Sequence, residues 1–170
     1  MQENLVYSNV LLEQKSKDGE NPQATLIELA YLAGLWDGEG WIGVGKQTRK
    51  GEYRYGAVDY QARMILVNTD TNIINAAVKI LDNLHISARI STQHDGDIKH
   101  AIRYNIEINK KDSIKKLCEL LIPFLYGKRS KAELMIRFID AKLKRNKSNH
   151  PLTDEEISLA EQLRSLNRKE

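Results

Sequence analysis

Two carboxylates, Asp37 and Glu39, stand two residues apart in the stretch YLAGLWDGEGWIGVGKQ (Tyr31–Gln47), with glycines on every side. Neither belongs to a solvated charge run, so something local must want carboxylates there. Gly34 and Gly38 are four apart on one helix face, with Ala30 a turn earlier. A face without side chains lets two helices approach closely. Crossing an identical helix about a two-fold axis would bring together the C-terminal ends of both, and with them both copies of Asp37 and Glu39. Paired hard oxygen ligands describe a Mg²⁺ site, including the two-metal type with ions about 3.5–4 Å apart. Held over DNA, such an ion activates water and stabilises the leaving oxygen of a phosphodiester. The plain structural alternative is a glycine-rich helix end packed inside one chain.

The elements that must position these groups follow from periodicity. Residues 1–22 are polar and read as a flexible tail. A helix starts at Thr25, with Glu28 completing a capping box, and closes near Gly38. From Trp41 the period changes to two. Ile42 and Val44 point one way, and Trp41, Gly43, Gly45 and Gln47 the other. RKGEYRYG is turn-like, and YQARMILVN is a second strand with Ala62, Met64 and Leu66 on one face. NTDTN stops it and caps a helix over Ile73–Leu84. SARISTQ and AIRYNIEI form a hairpin around HDGDIKH. Helices then cover Lys111–Leu125, Lys131–Lys144 and Thr153–Leu166, the last with a TDEE cap. The expected fold is α+β, in the order αββαββα plus C-terminal helices. A four-stranded antiparallel sheet would be covered on one face only. The domain reading is a tail over 1–22, a core over 23–147 and a helical extension over 148–170.

The open face of that sheet would carry Gln47, Arg49, Gln61, Arg63, Arg89, Ser91, Gln93, Arg103 and Asn105, with Glu107 as the acidic exception. Arg and Gln make bidentate contacts to guanine and adenine edges in the major groove, which admits a β-ribbon. This face is therefore expected to bind double-stranded DNA. The net charge of +3 is modest. Even so, there are ten Lys or Arg against four acids between Asp112 and His150, most of them in KRSK and KLKRNK. Apolar residues make up 41% and charged residues 29%, and no apolar run approaches the roughly 20 residues of a membrane span. The start of the chain lacks the pattern of a signal peptide. The single cysteine, Cys118, lies in an apolar run. An intracellular, reducing location follows, in cytoplasm or an organelle such as a chloroplast or mitochondrion.

Leu32–Gly40, LAGLWDGEG, closely resembles the signature of the LAGLIDADG homing endonucleases, with Trp36, Gly38 and Glu39 as its departures. The αββαββα order resembles that of the family over roughly residues 25–145. This resemblance implies that Glu39 binds the metal with the Gly38 carbonyl, and that Asp37 holds the helix end. It implies further that Asn68 positions water near the metal, although a one-residue slip would choose Thr69 or Asp70. The plain alternative for NTD is a helix cap. IPFLYGKRSKAE (Ile122–Glu133) resembles the segment with the family's active-site lysine, which falls on Lys128; the plain alternative is a solvated cation. The family's additional basic residue has no clear counterpart, with Asn72 and Ile73 standing nearby. A single motif implies a homodimer through the Gly34/Gly38 helix. It would cut both strands of a long pseudo-palindromic site with Mg²⁺, Mn²⁺ substituting and Ca²⁺ supporting binding alone.

Other classes remain in view. The same fold could serve as an intron RNA maturase or a DNA-binding regulator without cleavage; Glu39 and Lys128 argue against that, since binding needs neither. His85, His94, His100 and His150 make no HNH arrangement and read as loop residues. A structural interaction protein would leave the glycine–acid cluster unexplained.

Overall fold

The computed structural model describes residues 22–48, 58–93, 102–145 and 151–168. Residues 1–21 of the expected 1–22 tail, the turns at 49–56 and 94–100, Arg49, His94, His100 and His150 lie outside the described residues.

Helix α1 (Pro22–Glu39) begins three residues before the expected start at Thr25. Proline suits the first helical position because its φ is already helical and its missing N–H would have no partner there. Thr25 is inside the helix and buried, which corrects the reading of Thr25 and Glu28 as a capping box. Strand β1 (Gly40–Thr48) follows α1 without a loop. A Cβ on Gly40 would lie 2.5 Å from Cδ1 of Trp36 and 2.7 Å from its Cα. Only glycine fits this joint between helix and strand.

Strand β2 (Val58–Asn68) leads to α2 (Thr71–Asn83). The helix begins two residues before the expected Ile73 because Asp70 is the N-cap, accepting the Asn72 N–H at 2.7 Å. At its other end His85 adopts φ 53°, with its N–H on the Asp82 carbonyl and the Ile86 N–H on the Leu81 carbonyl, both at 2.9 Å. This is the Schellman ending, with histidine where glycine is usual. Strands β3 (Arg89–Gln93) and β4 (Arg103–Ile108) form the expected hairpin. Helix α3 (Lys111–Leu121) stops four residues short of Leu125, because Pro123 cannot supply the N–H that would continue it. Helix α4 spans Arg129–Lys144 and α5 spans Asp154–Asn167. Thr153 and Glu156 close a reciprocal capping box at the start of α5.

The described strands form one antiparallel sheet in the order β1-β2-β4-β3. Ile42, Val44, Met64, Leu66, Ile106 and Ile108 are buried from one face, under α1, α2, α3 and α4. That face meets Trp36, Leu117, Met135 and Phe138, all fully buried. Helix α5 packs on α4 and β1 through Leu159, Ala160 and Leu163. Among the described residues no helix is long and apolar enough to cross a membrane.

Helix α1 has a second apolar side. Leu29, Leu32, Ala33 and Trp36 enter the core, while Ile27, Ala30, Tyr31, Gly34 and Gly38 are exposed. Ile27 is 62% exposed, and a Cβ on Gly34 or Gly38 would meet nothing within 4 Å. Among the described residues of one chain, therefore, neither glycine is required by packing.

Candidate active site and nucleic-acid face

The last turn of α1 is stitched to the loop between α3 and α4. The Asp37 carboxylate accepts the Tyr126 N–H at 2.7 Å and the Lys128 N–H at 2.9 Å. In return, Nζ of Lys128 donates to the Asp37 carbonyl at 2.6 Å. An ammonium suits this position because the helix C-terminus carries partial negative charge. Lys128 is only 8% exposed, so it is not the solvated cation of the plain alternative. Three sequence-nominated residues thus gather at one helix end: Asp37 and Lys128 in contact, and Glu39 as the final helical residue.

Glu39 and Gly38 are exposed, and among the described residues no bond or ion pair engages the Glu39 carboxylate. Gly38 belongs to the last turn, whose carbonyls have no partner within the helix. Among the described residues no group of three or more His, Cys, Asp or Glu could hold a metal ion. One chain therefore offers a carboxylate and a carbonyl. That set suits Mg²⁺, which keeps several waters and takes the rest of its shell from one or two carboxylates and substrate phosphates.

Asn68 ends β2 and is half-buried. Gly40 pairs with Leu66, so Asn68 lies at the same end of the sheet as Glu39. Its Oδ1 accepts the Asp70 N–H at 2.8 Å, a local turn preceding the cap. The Asp70 carboxylate is committed to that cap. Asn72 and Ile73 fall in the first turn of α2.

Gln47, Gln61, Arg63, Arg89, Ser91, Gln93, Arg103 and Asn105 all lie on the sheet face opposite the core, with Ser91 opposite Asn105 and Gln93 opposite Arg103. Arg63 is not isolated there. Its NH2 donates to Oε1 of Gln61 at 3.2 Å, and its NH1 is 3.6 Å from the Glu107 carboxylate. Two neighbours escaped the sequence reading. Tyr126 is 94% exposed beside the clamp, with adjacency to Lys128 as its only signal. Trp41 lies over Gly43, where an added Cβ would meet its ring at 2.5 Å and Nδ2 of Asn167 at 2.6 Å.

A glycine-faced helix ending in carboxylates above a half-covered antiparallel sheet defines the class. The chain belongs to the LAGLIDADG family: the model of the LAGLIDADG-like domain matches residues 27–121, more than half of its length. The fold is that of the family's homing endonucleases. It is similar to I-CvuI in complex with the I-CreI target, solved with 2 mM Mg and DNA not cleaved, at TM-score 0.68 and 20% identity over 84% of this chain and 83% of that one. The archaeal intron-encoded homing endonuclease I-Vdi141I, complexed with DNA, matches at TM-score 0.63 and 16% identity over 82% and 84%. The LAGLIDADG meganuclease I-AabMI, bound to uncleaved DNA, matches at TM-score 0.55 and 16% identity over 81% of this chain but 44% of that one. No curated protein matches the chain in sequence.

Proposed function

We propose that the chain is a site-specific homing endonuclease that acts as a homodimer and breaks both strands of a long pseudo-palindromic DNA site by metal-dependent phosphodiester hydrolysis. The observation that carries this reading is the clamp of Lys128 onto the Asp37 helix end, two residues from a Glu39 that is exposed and unengaged among the described residues. Binding alone does not call for an exposed carboxylate beside the Lys128 ammonium.

In this reading the Glu39 carboxylate and Gly38 carbonyl hold Mg²⁺, with Mn²⁺ able to replace it and Ca²⁺ supporting binding alone. When bound there, such an ion would supply a lowered pKa for an adjacent water and would offset charge on the leaving oxygen. Lys128 has three N–H donors; one is on the Asp37 carbonyl, leaving two for the phosphate or the attacking water. The Asn68 amide orients that water. Asp37 fixes the turn bearing Lys128, its two oxygens each accepting a backbone amide of that turn. The exposed α1 face with Gly34 and Gly38 receives a second α1, which supplies the second Glu39. The match to under half of a meganuclease chain supports this, because two such units fit one of those chains. The open sheet face enters the major groove and reads base edges.

The test uses linear DNA carrying the uninterrupted insertion site, reconstructed from the DNA flanking the reading frame. With Mg²⁺ the protein should cut both strands. Glu39→Gln should abolish cutting while Ca²⁺-supported binding stays within a few-fold. Binding without cutting by the wild type would instead identify a regulator or maturase of the same fold.

A further inference from the structure

On the open sheet face Glu107 of β4 stands between two guanidinium-bearing strands. It is opposite Arg89 on β3 and opposite Ile65 on β2, with Arg63 its diagonal neighbour two residues along β2. NH1 of Arg63 is 3.6 Å from its carboxylate, and NH2 is held by Gln61 at 3.2 Å. On the other flank β1 presents Gly43 and Gly45, with the Trp41 ring lying over Gly43. Gly43 is opposite Arg63, and a Cβ on Gly45 would lie 3.8 Å from Arg63 Nε. The Arg63 side chain is 33% exposed and that of Glu107 is 23%. The guanidinium thus lies between the Gly43–Gly45 stretch of β1 on one side and a carboxylate on the other.

We propose that Glu107 is a positioning residue for DNA specificity: it holds Arg63 as a reader of guanine in place of a mobile phosphate contact. The inference rests on the reading of this face as the DNA-binding surface. A carboxylate facing phosphates gains nothing from them by itself and weakens the field that attracts DNA. Its use is orientation. A phosphate contact needs only a nearby positive charge, whereas bidentate recognition of guanine O6 and N7 needs the planar fork fixed in angle. Gln61 and Glu107 hold that fork before DNA arrives, reducing the ordering cost on binding. Glu107 also offsets the charge of two arginines, so the face binds arbitrary DNA less tightly.

The experiment is selection from randomised duplex DNA in Ca²⁺ with the full chain, comparing wild type, Glu107→Gln, Arg63→Ala and the double variant. The wild type should enrich a two-fold symmetric site. Glu107→Gln, nearly the same in shape, should lower the preference for guanine by about fivefold or more at one symmetric pair of positions. The other positions should be retained, and binding to unselected DNA should become tighter and steeper in salt. Arg63→Ala should lose the same pair of positions, and the double variant no further ones. An unchanged Glu107→Gln profile, a loss spread over all positions, or a loss at positions other than those of Arg63→Ala would overturn the proposal while leaving DNA binding intact. Failure of the wild type to enrich any sequence would overturn the DNA-binding reading and this proposal with it.

Discussion

Asp37 and Lys128 are 91 residues apart in sequence and share two hydrogen bonds in space, with the Tyr126 N–H adding a third to the Asp37 carboxylate. The Asp37 carboxylate is therefore a brace for the lysine. Asp37→Ala should leave two backbone N–H groups without their acceptor, costing about 2 kcal/mol in chemical denaturation. Cutting should fall more than binding, because the Lys128 turn loses its anchor; unchanged stability would show that the clamp carries no load. Lys128→Met should reduce the cutting rate in Mg²⁺ by about 10²-fold or more, with affinity in Ca²⁺ little altered. A proportional loss of affinity would place Lys128 on DNA binding instead. The identities at this site were legible in the sequence because LAGLWDGEG and PFLYGK are local patterns. The clamp was not, since nothing local tells Lys128 that its partner is a helix end from the other half of the chain. Burial of Lys128 and the capture of Arg63 by Glu107 are likewise tertiary facts.

At the scale of elements, the helix-to-strand joint is the tightest point. Gly40→Ala would set a methyl against both backbone and ring of Trp36, at a cost of about 1–3 kcal/mol by overpacking, read from the denaturation midpoint. Helix α5 is anchored by Glu156, which is fully buried, accepts Nε of Arg145 at 2.9 Å and caps its own helix through the Thr153 N–H at 2.8 Å. Glu156→Ala should cost about 3–5 kcal/mol, because it leaves a largely buried guanidinium without that carboxylate. A second link joins α5 to β2, where the Tyr60 hydroxyl donates to Glu161. That bond raises the Tyr60 phenol above its ordinary 10.0, with burial adding to the shift, and lowers Glu161 below its ordinary 4.5 against the opposing effect of burial. The contribution is thus complete between those two values. It is lost as pH falls through the lowered Glu161 value or rises through the raised Tyr60 value. The stability gap between wild type and Tyr60→Phe should be widest at neutral pH and shrink in acid and in strong alkali; a gap constant with pH would deny the bond. Strand faces were legible because alternation is strict in Trp41–Gln47 and Gln61–Val67. Helix ends were not, since they depend on Pro22, Asp70 and Pro123 acting as stops and caps within two to four residues of where periodicity alone puts them.

At the scale of the whole molecule, one observation separates assembly from folding. Nothing lies within 4 Å of a Cβ on Gly34 or Gly38, so Gly38→Leu should leave the single chain folded, as judged by circular dichroism. It should nevertheless disrupt association, which small residues at a helix crossing make possible. The αββαββα order was readable from sequence, as was the single glycine motif that implies two copies. The strand order β1-β2-β4-β3 was not, since periodicity reports faces and not neighbours. The central claim is that two chains, joined through their α1 glycines, place one Glu39 each beside the duplex. Sedimentation of the protein on its selected duplex in Ca²⁺ tests this most directly. The account predicts two wild-type chains per duplex, with Gly38→Leu failing to form that complex. One chain per duplex for the wild type would contradict it.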